Sequence, residues 1–113
     1  MYPTRYDTCV YYIQRTDEFD DWLARLKDLR ARAKIIVRIK SVELGNFGDV
    51  EPVGEGVGEL RIHYGPGYRV YIKQVGKVLI LVLCSGTKKS QQRDIEHAKE
   101  LARKYEDILN ERS

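Results

Sequence analysis

Cysteine is scarce in this chain. Cys9 and Cys84 are the only two among 113 residues. They lie far apart and show no metal-type spacing, which argues against a zinc cluster and against a disulfide scaffold. Each adjoins an apolar strand, so two buried, reduced thiols are expected, with a Cys9–Cys84 disulfide as the alternative. Long hydrophobic runs are missing too. No stretch approaches the roughly 20 apolar residues that a membrane helix needs. The opening MYPTRYDTC lacks the apolar core of a signal peptide, so a cytoplasmic protein is expected. There is no glycine-rich phosphate loop, no nucleophile elbow and no cluster of metal ligands. Gly54, Gly56 and Gly58 do not lie between a strand and a helix. Neither a metal nor an organic cofactor is indicated. Charge of one sign is also in short supply: 20 basic residues face 17 acidic ones, a net charge of +3. That excess is too mild to indicate a polyanionic partner, so the distribution of charge must carry any such case.

What is present suits a single soluble domain over 1–113, with 42% hydrophobic and 33% charged residues. Val10–Ile13 is β-branched and aromatic, a first strand. Thr16 or Asp17 caps a helix whose apolar stripe is Phe19, Trp22, Leu23 and Leu26. A break near Asp28 separates it from a second helix, about Leu29 to Leu44, with Ile36, Ile39 and Val42 or Glu43 on successive turns. Gly45 and Asn46 end that helix. Phe47–Gly58 holds four glycines and a proline in twelve residues and reads as a loop, with at most a short extended piece. Val78–Leu83 is unbroken and apolar, a strand covered on both faces and the best candidate for the middle of the sheet. Ser85–Ser90 is a polar connection. A final helix from about Gln91 to Asn110 carries Ile95, Ala98, Leu101, Ala102, Tyr105 and Ile108 or Leu109 on one side. The order β-α-α-β-β-β-α predicts an α+β fold, a small twisted, mostly antiparallel sheet with helices packed on it.

Glu59–Lys73 is the most informative stretch. ELRIHYGPGYRVYIK reads as a β-hairpin turning at Gly65-Pro66-Gly67. With Tyr64 opposite Tyr68, the pairs are His63–Arg69, Ile62–Val70, Arg61–Tyr71, Leu60–Ile72 and Glu59–Lys73. Alternation then puts Leu60, Ile62, Val70 and Ile72 on one face and Arg61, His63, Arg69, Tyr71 and Lys73 on the other. Arginine can grip a phosphate through two parallel hydrogen bonds and tyrosine offers a stacking plane. The plainer account is a solvated outer face with simple cross-strand pairs.

Two further groups of cations stand out. Arg25–Lys40 holds Arg25, Lys27, Arg30, Arg32, Lys34, Arg38 and Lys40 against Asp28 alone, a local charge of +6. Such a helix would attract a polyanion with steep salt dependence, or an acidic partner protein; a solvated helix face is the ordinary alternative. Lys88, Lys89 and Arg93 flank the start of the last helix, where positive charge opposes the helix dipole and a bound anion would relieve it. His63 is a candidate general base on the hairpin, although an exposed structural histidine is the commoner case. His97 lies off the apolar stripe of the last helix.

The pieces GNFGD, ELRIHYGPGYRVY and the stretch from Gly86-Thr87-Lys88 to Ile95 together resemble the "addiction module killer protein" group, HigB-like toxins of the RelE/ParE superfamily. The resemblance spans roughly Phe19 to Tyr105. It implies the RelE-like fold and the toxin of a type II toxin–antitoxin module. It further implies a metal-independent, ribosome-dependent mRNA endoribonuclease in which a 2′-hydroxyl attacks the neighbouring phosphate. Arg69 and Arg61 match the sheet arginines of such toxins, and Lys88, Lys89 and Arg93 the basic residues after the last strand. Tyr71 is added as a catalytic candidate from its position on the hairpin face, and His63 as a substitute candidate for the acid–base role. Lys73, Arg30, Lys34 and Arg38 are candidate contacts to RNA or ribosome. The implied partner is a helix-turn-helix antitoxin, through which alone the toxin would meet operon DNA. A C-terminal acid–base residue found in some relatives has no obvious counterpart here. A ParE-like gyrase inhibitor and a catalytically inactive homologue that binds its antitoxin are the other readings.

Overall fold

Each of the first two helices begins where a side-chain oxygen meets its first N–H groups. In the computed structural model, which describes residues 10–112 and side chains as far as Ile108, Thr16 caps α1 (Asp17–Arg25). Its Oγ1 accepts from the Phe19 N–H at 3.0 Å and donates to the Leu83 carbonyl at 2.7 Å, tying the helix start to the sheet. Asp17, Glu18 and Asp20 in the first turn suit the positive end of the dipole. Asp28 caps α2 (Leu29–Glu43), accepting from the N–H groups of Arg30 and Ala31. Those backbone bonds hold the Asp28 carboxyl below its ordinary range. The break expected near Asp28 is therefore this cap.

One mixed sheet of five strands follows the order β1-β5-β4-β3-β2. β1 (Tyr12–Arg15) runs parallel to β5 (Leu79–Thr87), and every other neighbour is antiparallel: β2 (Val50–Gly54), β3 (Val57–Ile62) and β4 (Tyr68–Val75). A 3-10 turn, Lys88–Ser90, leads into α3 (Gln91–Arg112). Helices cover both faces. Phe19 and Leu23 of α1 and Ala31, Ile35, Ile39 and Val42 of α2 pack on Leu60, Ile62, Val70, Ile72, Ile80 and Val82. On the opposite face Ala98 and Ala102 of α3 pack on Val57, Tyr71, Leu81, Leu83 and Cys84. Alanines at this contact let the helix lie close to the strands.

The α+β reading holds, with four corrections. The presumed loop before the hairpin contains β2, so a fourth strand stands between α2 and α3. Glu55 and Gly56, both at positive φ (56° and 79°), form a two-residue turn of the kind that joins twisted antiparallel strands. Pro52 is tolerated because β2 is an edge strand. Second, the β3–β4 loop is longer than a Gly-Pro-Gly turn. Strand pairing stops at Ile62 and Tyr68, so Arg61 faces Arg69, Leu60 faces Val70 and Glu59 faces Tyr71. The register differs by two residues from the expected one. A shift of two preserves the side-chain alternation, so the apolar and polar sets survive intact. Third, α2 buries Ala31 and Ile35 with Ile39 and Val42, and leaves Ile36 40% exposed. Fourth, β5 extends through Ser85, Gly86 and Thr87, and β4 is the central strand.

Cys84 is buried, and burial pushes its thiol up to about 12; Cys9, and with it any Cys9–Cys84 pairing, lies outside the described residues. His97 bonds Glu18 at 2.7 Å, linking α3 to α1. No helix among the described residues is long and apolar enough to cross a membrane.

Candidate anion-binding cleft

Arg61 and Arg69 stand directly opposite each other on β3 and β4. Like charges so placed repel. Glu59 anchors Arg61. Its carboxylate is fully buried. Oε1 accepts from Arg61 Nε at 3.0 Å, while Oε2 accepts from the Tyr71 hydroxyl at 2.9 Å and from Gln91 Nε2 at 2.8 Å. A buried carboxylate survives only with such a set of donors. The same contact raises the Arg61 pKa, keeping it cationic. Tethering through Nε occupies one of its five N–H groups.

Arg69 is 7% exposed. Its Nη1 donates to the Gly67 carbonyl at 3.3 Å, and its Nε is a buried donor with no partner among the described residues. Its cross-strand neighbour on β5 is Gly86. A Cβ there would collide with Asp94 and Ser90. Glycine thus lets the first turn of α3 settle against β5, with Ser90 Oγ on Asp94 Oδ2 at 2.5 Å. The Lys88 N–H donates to the Gly67 carbonyl at 2.8 Å, joining the start of α3 to the β3–β4 loop. Gly65 and Gly67 take the positive φ values that this loop needs, 56° and 80°. The result is a cleft of about 510 Å³ lined by Arg61, His63, Tyr64, the Gly-Pro-Gly segment, Arg69 and Lys88. Two arginines and a lysine around one cleft are side chains that suit an anion.

A second cleft of about 510 Å³ adjoins it, between α2 and the end of β3. Arg30 and Lys34 line it beside Arg61, His63 and Tyr64. Lys34 Nζ lies 5.4 Å from the Tyr64 ring centre, and the Tyr64 hydroxyl donates to Asp28 Oδ2 at 3.0 Å. Lys89 and Arg93 line a third cleft, of about 540 Å³, with Thr87, Ser90 and Gln92.

The remaining candidates are committed elsewhere. Tyr71 is wholly buried, its hydroxyl held by Glu59, and burial raises its pKa far above that of free tyrosine. It stands beneath α3, out of contact with the cleft. Lys73 lies at the far end of the hairpin, opposite Val57, bonded to the Glu55 carbonyl at 2.9 Å and paired with Glu106. Arg38 reaches three carbonyls, those of Arg61 and Phe47 at 2.8 Å and Asp49 at 3.2 Å. Burial lowers its pKa below the usual arginine value. The polar hairpin face is therefore neither a solvated surface nor a uniform cationic one; α3 covers half of it. Sequence reasoning passed over Glu59, Tyr64 and Asp49. Glu59 did carry a signal, as the one acid among the cations of that face.

Among the described residues no three His, Cys, Asp or Glu side chains gather as a metal site. The chain matches no family model. It is 53% identical over 90 residues to an uncharacterised protein of Haemophilus influenzae strain Rd, an overlap that covers 80% of this chain and 91% of that one. Among solved structures, a mutant of the Escherichia coli toxin RelE with two arginines replaced by alanine, in the free state, superposes with a TM-score of 0.62. The match covers 80% of this chain and 94% of that one at 13% identity, so it speaks to the fold.

Proposed function

The chain belongs to the family of the Haemophilus influenzae protein and has the fold of the toxin RelE, and from that premise we propose that it is a cytoplasmic, HigB-like toxin of a type II toxin–antitoxin module, cutting messenger RNA on the ribosome. The observation that carries the reading is the cleft at Arg61, Arg69 and Lys88, with a buried donor on Arg69 that lacks a partner among the described residues. Cleavage by an internal 2′-hydroxyl puts developing negative charge on the phosphate oxygens. Arg69 and Arg61 bind and neutralise it in the transition state, where fixed donors are worth most. Lys88 adds charge beside them. Arg30 and Lys34 line the adjoining cleft and Lys89 and Arg93 the third, as sites for flanking phosphates on mRNA or ribosomal RNA. That binding weakens steeply with salt. A helix-turn-helix antitoxin neutralises the toxin by covering these cations with acidic side chains.

The burial of Tyr71 favours one rival, a catalytically inactive homologue that only binds its antitoxin, since this hairpin tyrosine is locked beneath α3. Induction of the chain without its antitoxin, followed by mapping of mRNA 5′ ends on translating ribosomes, separates the readings. Codon-phased cuts are expected. Intact mRNA with arrested growth and gyrase-linked DNA breaks would indicate a ParE-like inhibitor, and undisturbed growth the inactive homologue.

A further inference from the structure

His63 follows β3, and Asp49 precedes β2. The two meet at 2.6 Å, His63 Nε2 to Asp49 Oδ2. As an exposed ion pair the contact would be worth little. Its setting is what distinguishes it. The Arg61 N–H donates to the Asp49 carbonyl at 3.0 Å, and Arg38 Nη2 donates to the same carbonyl at 3.2 Å. Arg38 Nη1 holds the Arg61 carbonyl at 2.8 Å, two residues before His63. One half-buried guanidinium therefore staples the backbone on both sides of the pair.

The protonation pattern follows. The bond from His63, with the nearby charges of Arg61 and Arg38, holds the Asp49 carboxyl below the ordinary carboxylate range. An ionised carboxylate only accepts, so Nε2 carries a hydrogen in either state of the ring. Nδ1 is left as the nitrogen that exchanges a proton. His63 lines the Arg61–Arg69–Lys88 cleft and the Arg30–Lys34 cleft alike.

We propose that His63 is the proton acceptor of the arginine cleft and that Asp49 is its positioning residue. The proposal rests on the RNA-cleaving reading and deepens it. His63 Nδ1 removes the proton of the 2′-hydroxyl as that oxygen bonds to the adjacent phosphorus. The bond from phosphorus to the 5′ oxygen breaks, and the leaving oxygen keeps the electron pair and takes a proton from water. The products are a 2′,3′-cyclic phosphate, a 5′-hydroxyl end and an imidazolium facing the Asp49 carboxylate. The Nδ1 proton of that imidazolium returns to the hydroxide left by the water and restores neutral His63. A fixed carboxylate holds the tautomer and stabilises that cation.

The test is single-turnover cleavage of mRNA on programmed ribosomes at saturating toxin. Both side chains are exposed, so the variants retain the fold, which circular dichroism checks. His63→Ala is expected to slow cleavage by about 100-fold or more and Asp49→Asn by at least about tenfold, with unchanged binding to the ribosome. Added imidazole is expected to restore cleavage to His63→Ala, and less of it when Asp49 is also alanine. A purely structural role predicts no such rescue. Wild-type rates in both variants, or failure of imidazole to act, would overturn this assignment while leaving the nuclease reading intact. A wild-type protein that cuts nothing would remove the reading itself, and the assignment with it.

Discussion

Glu59, Tyr71, Arg61 and Arg69 share one face of the β3–β4 hairpin, yet its two ends do different work. At one end Glu59 and Tyr71 are fully buried beneath α3 and satisfy each other. At the other, Arg61 and Arg69 line an open cleft, and a buried donor of Arg69 has no partner among the described residues. The sequence pattern treats these ends alike, as polar residues alternating with apolar ones. The boundary between them is set by where α3 begins. Gln91, its first residue, bonds Glu59, and Gly86 allows its first turn to lie against β5 next to Arg69. A polar side chain under the helix must be neutralised by the fold itself, whereas one beyond its start can be neutralised by a ligand.

Substitutions at the two ends should therefore separate activity from stability. Arg69→Ala has the largest expected effect, a loss of about 100-fold or more in mRNA cleavage and of growth inhibition, with the folded spectrum retained. Toxicity equal to wild type would show that the open end is not the working end. Glu59→Ala strikes the covered end. It leaves the Tyr71 hydroxyl and the Gln91 amide without their acceptor, and should cost about 3 kcal/mol, roughly 15 °C in thermal midpoint. A midpoint within a few degrees of wild type would mean that Glu59 does not hold α3 in place. Tyr71→Phe is milder, about 1–2 kcal/mol in denaturant titration, with the cleavage rate unchanged. A large fall in rate at full stability would restore Tyr71 to the reaction and dissolve the distinction drawn between the two ends.

The smallest effect is a slope. Burial raises the folded pKa of Cys84 from an ordinary 9.0 to about 12, and that of Tyr71 above its ordinary 10.0. Above pH 9 the unfolded chain gives up these protons first, so the folded state binds more of them and stability declines as pH rises. The contribution is complete below pH 9 and is lost as pH climbs towards 12, at no more than about 1.4 kcal/mol per pH unit for each group. Midpoints measured from pH 8 to 11 check the trend, and Tyr71→Phe should flatten it.

The elements with strong periodicity were legible in the sequence. Thr16 and Asp28 announce their helices because a cap is a local interaction, and Val78–Leu83 announces a buried strand because both its faces are apolar. β2 was not legible: its glycines and Pro52 read as a loop, although those residues are what an edge strand and a tight turn require. The hairpin partners were misjudged by two positions because the turn opens to five residues, from His63 to Gly67. Of the candidate site, Arg61, Arg69, Lys88 and His63 line one cleft. Lys73 and Tyr71 do not join them, and Arg38, on the wall of the adjoining cleft, spends its Nη groups on backbone carbonyls. Asp49 carried no local signal, since it reaches His63 across a separation of 14 residues.

By itself the sequence determined the α+β class, the helix starts and the division of the hairpin into an oily and a polar face. Each of these depends on neighbours within a few positions, or on a period of two that survives an even change of register. Tertiary structure alone decided which polar residues are buried and which are available. That outcome depends on where α3 crosses the sheet and on which donors converge on Glu59, and both are relations between segments far apart in the chain. The two arginines of one strand pair became a cleft, and their polar neighbours became its support, only when the last helix came to rest.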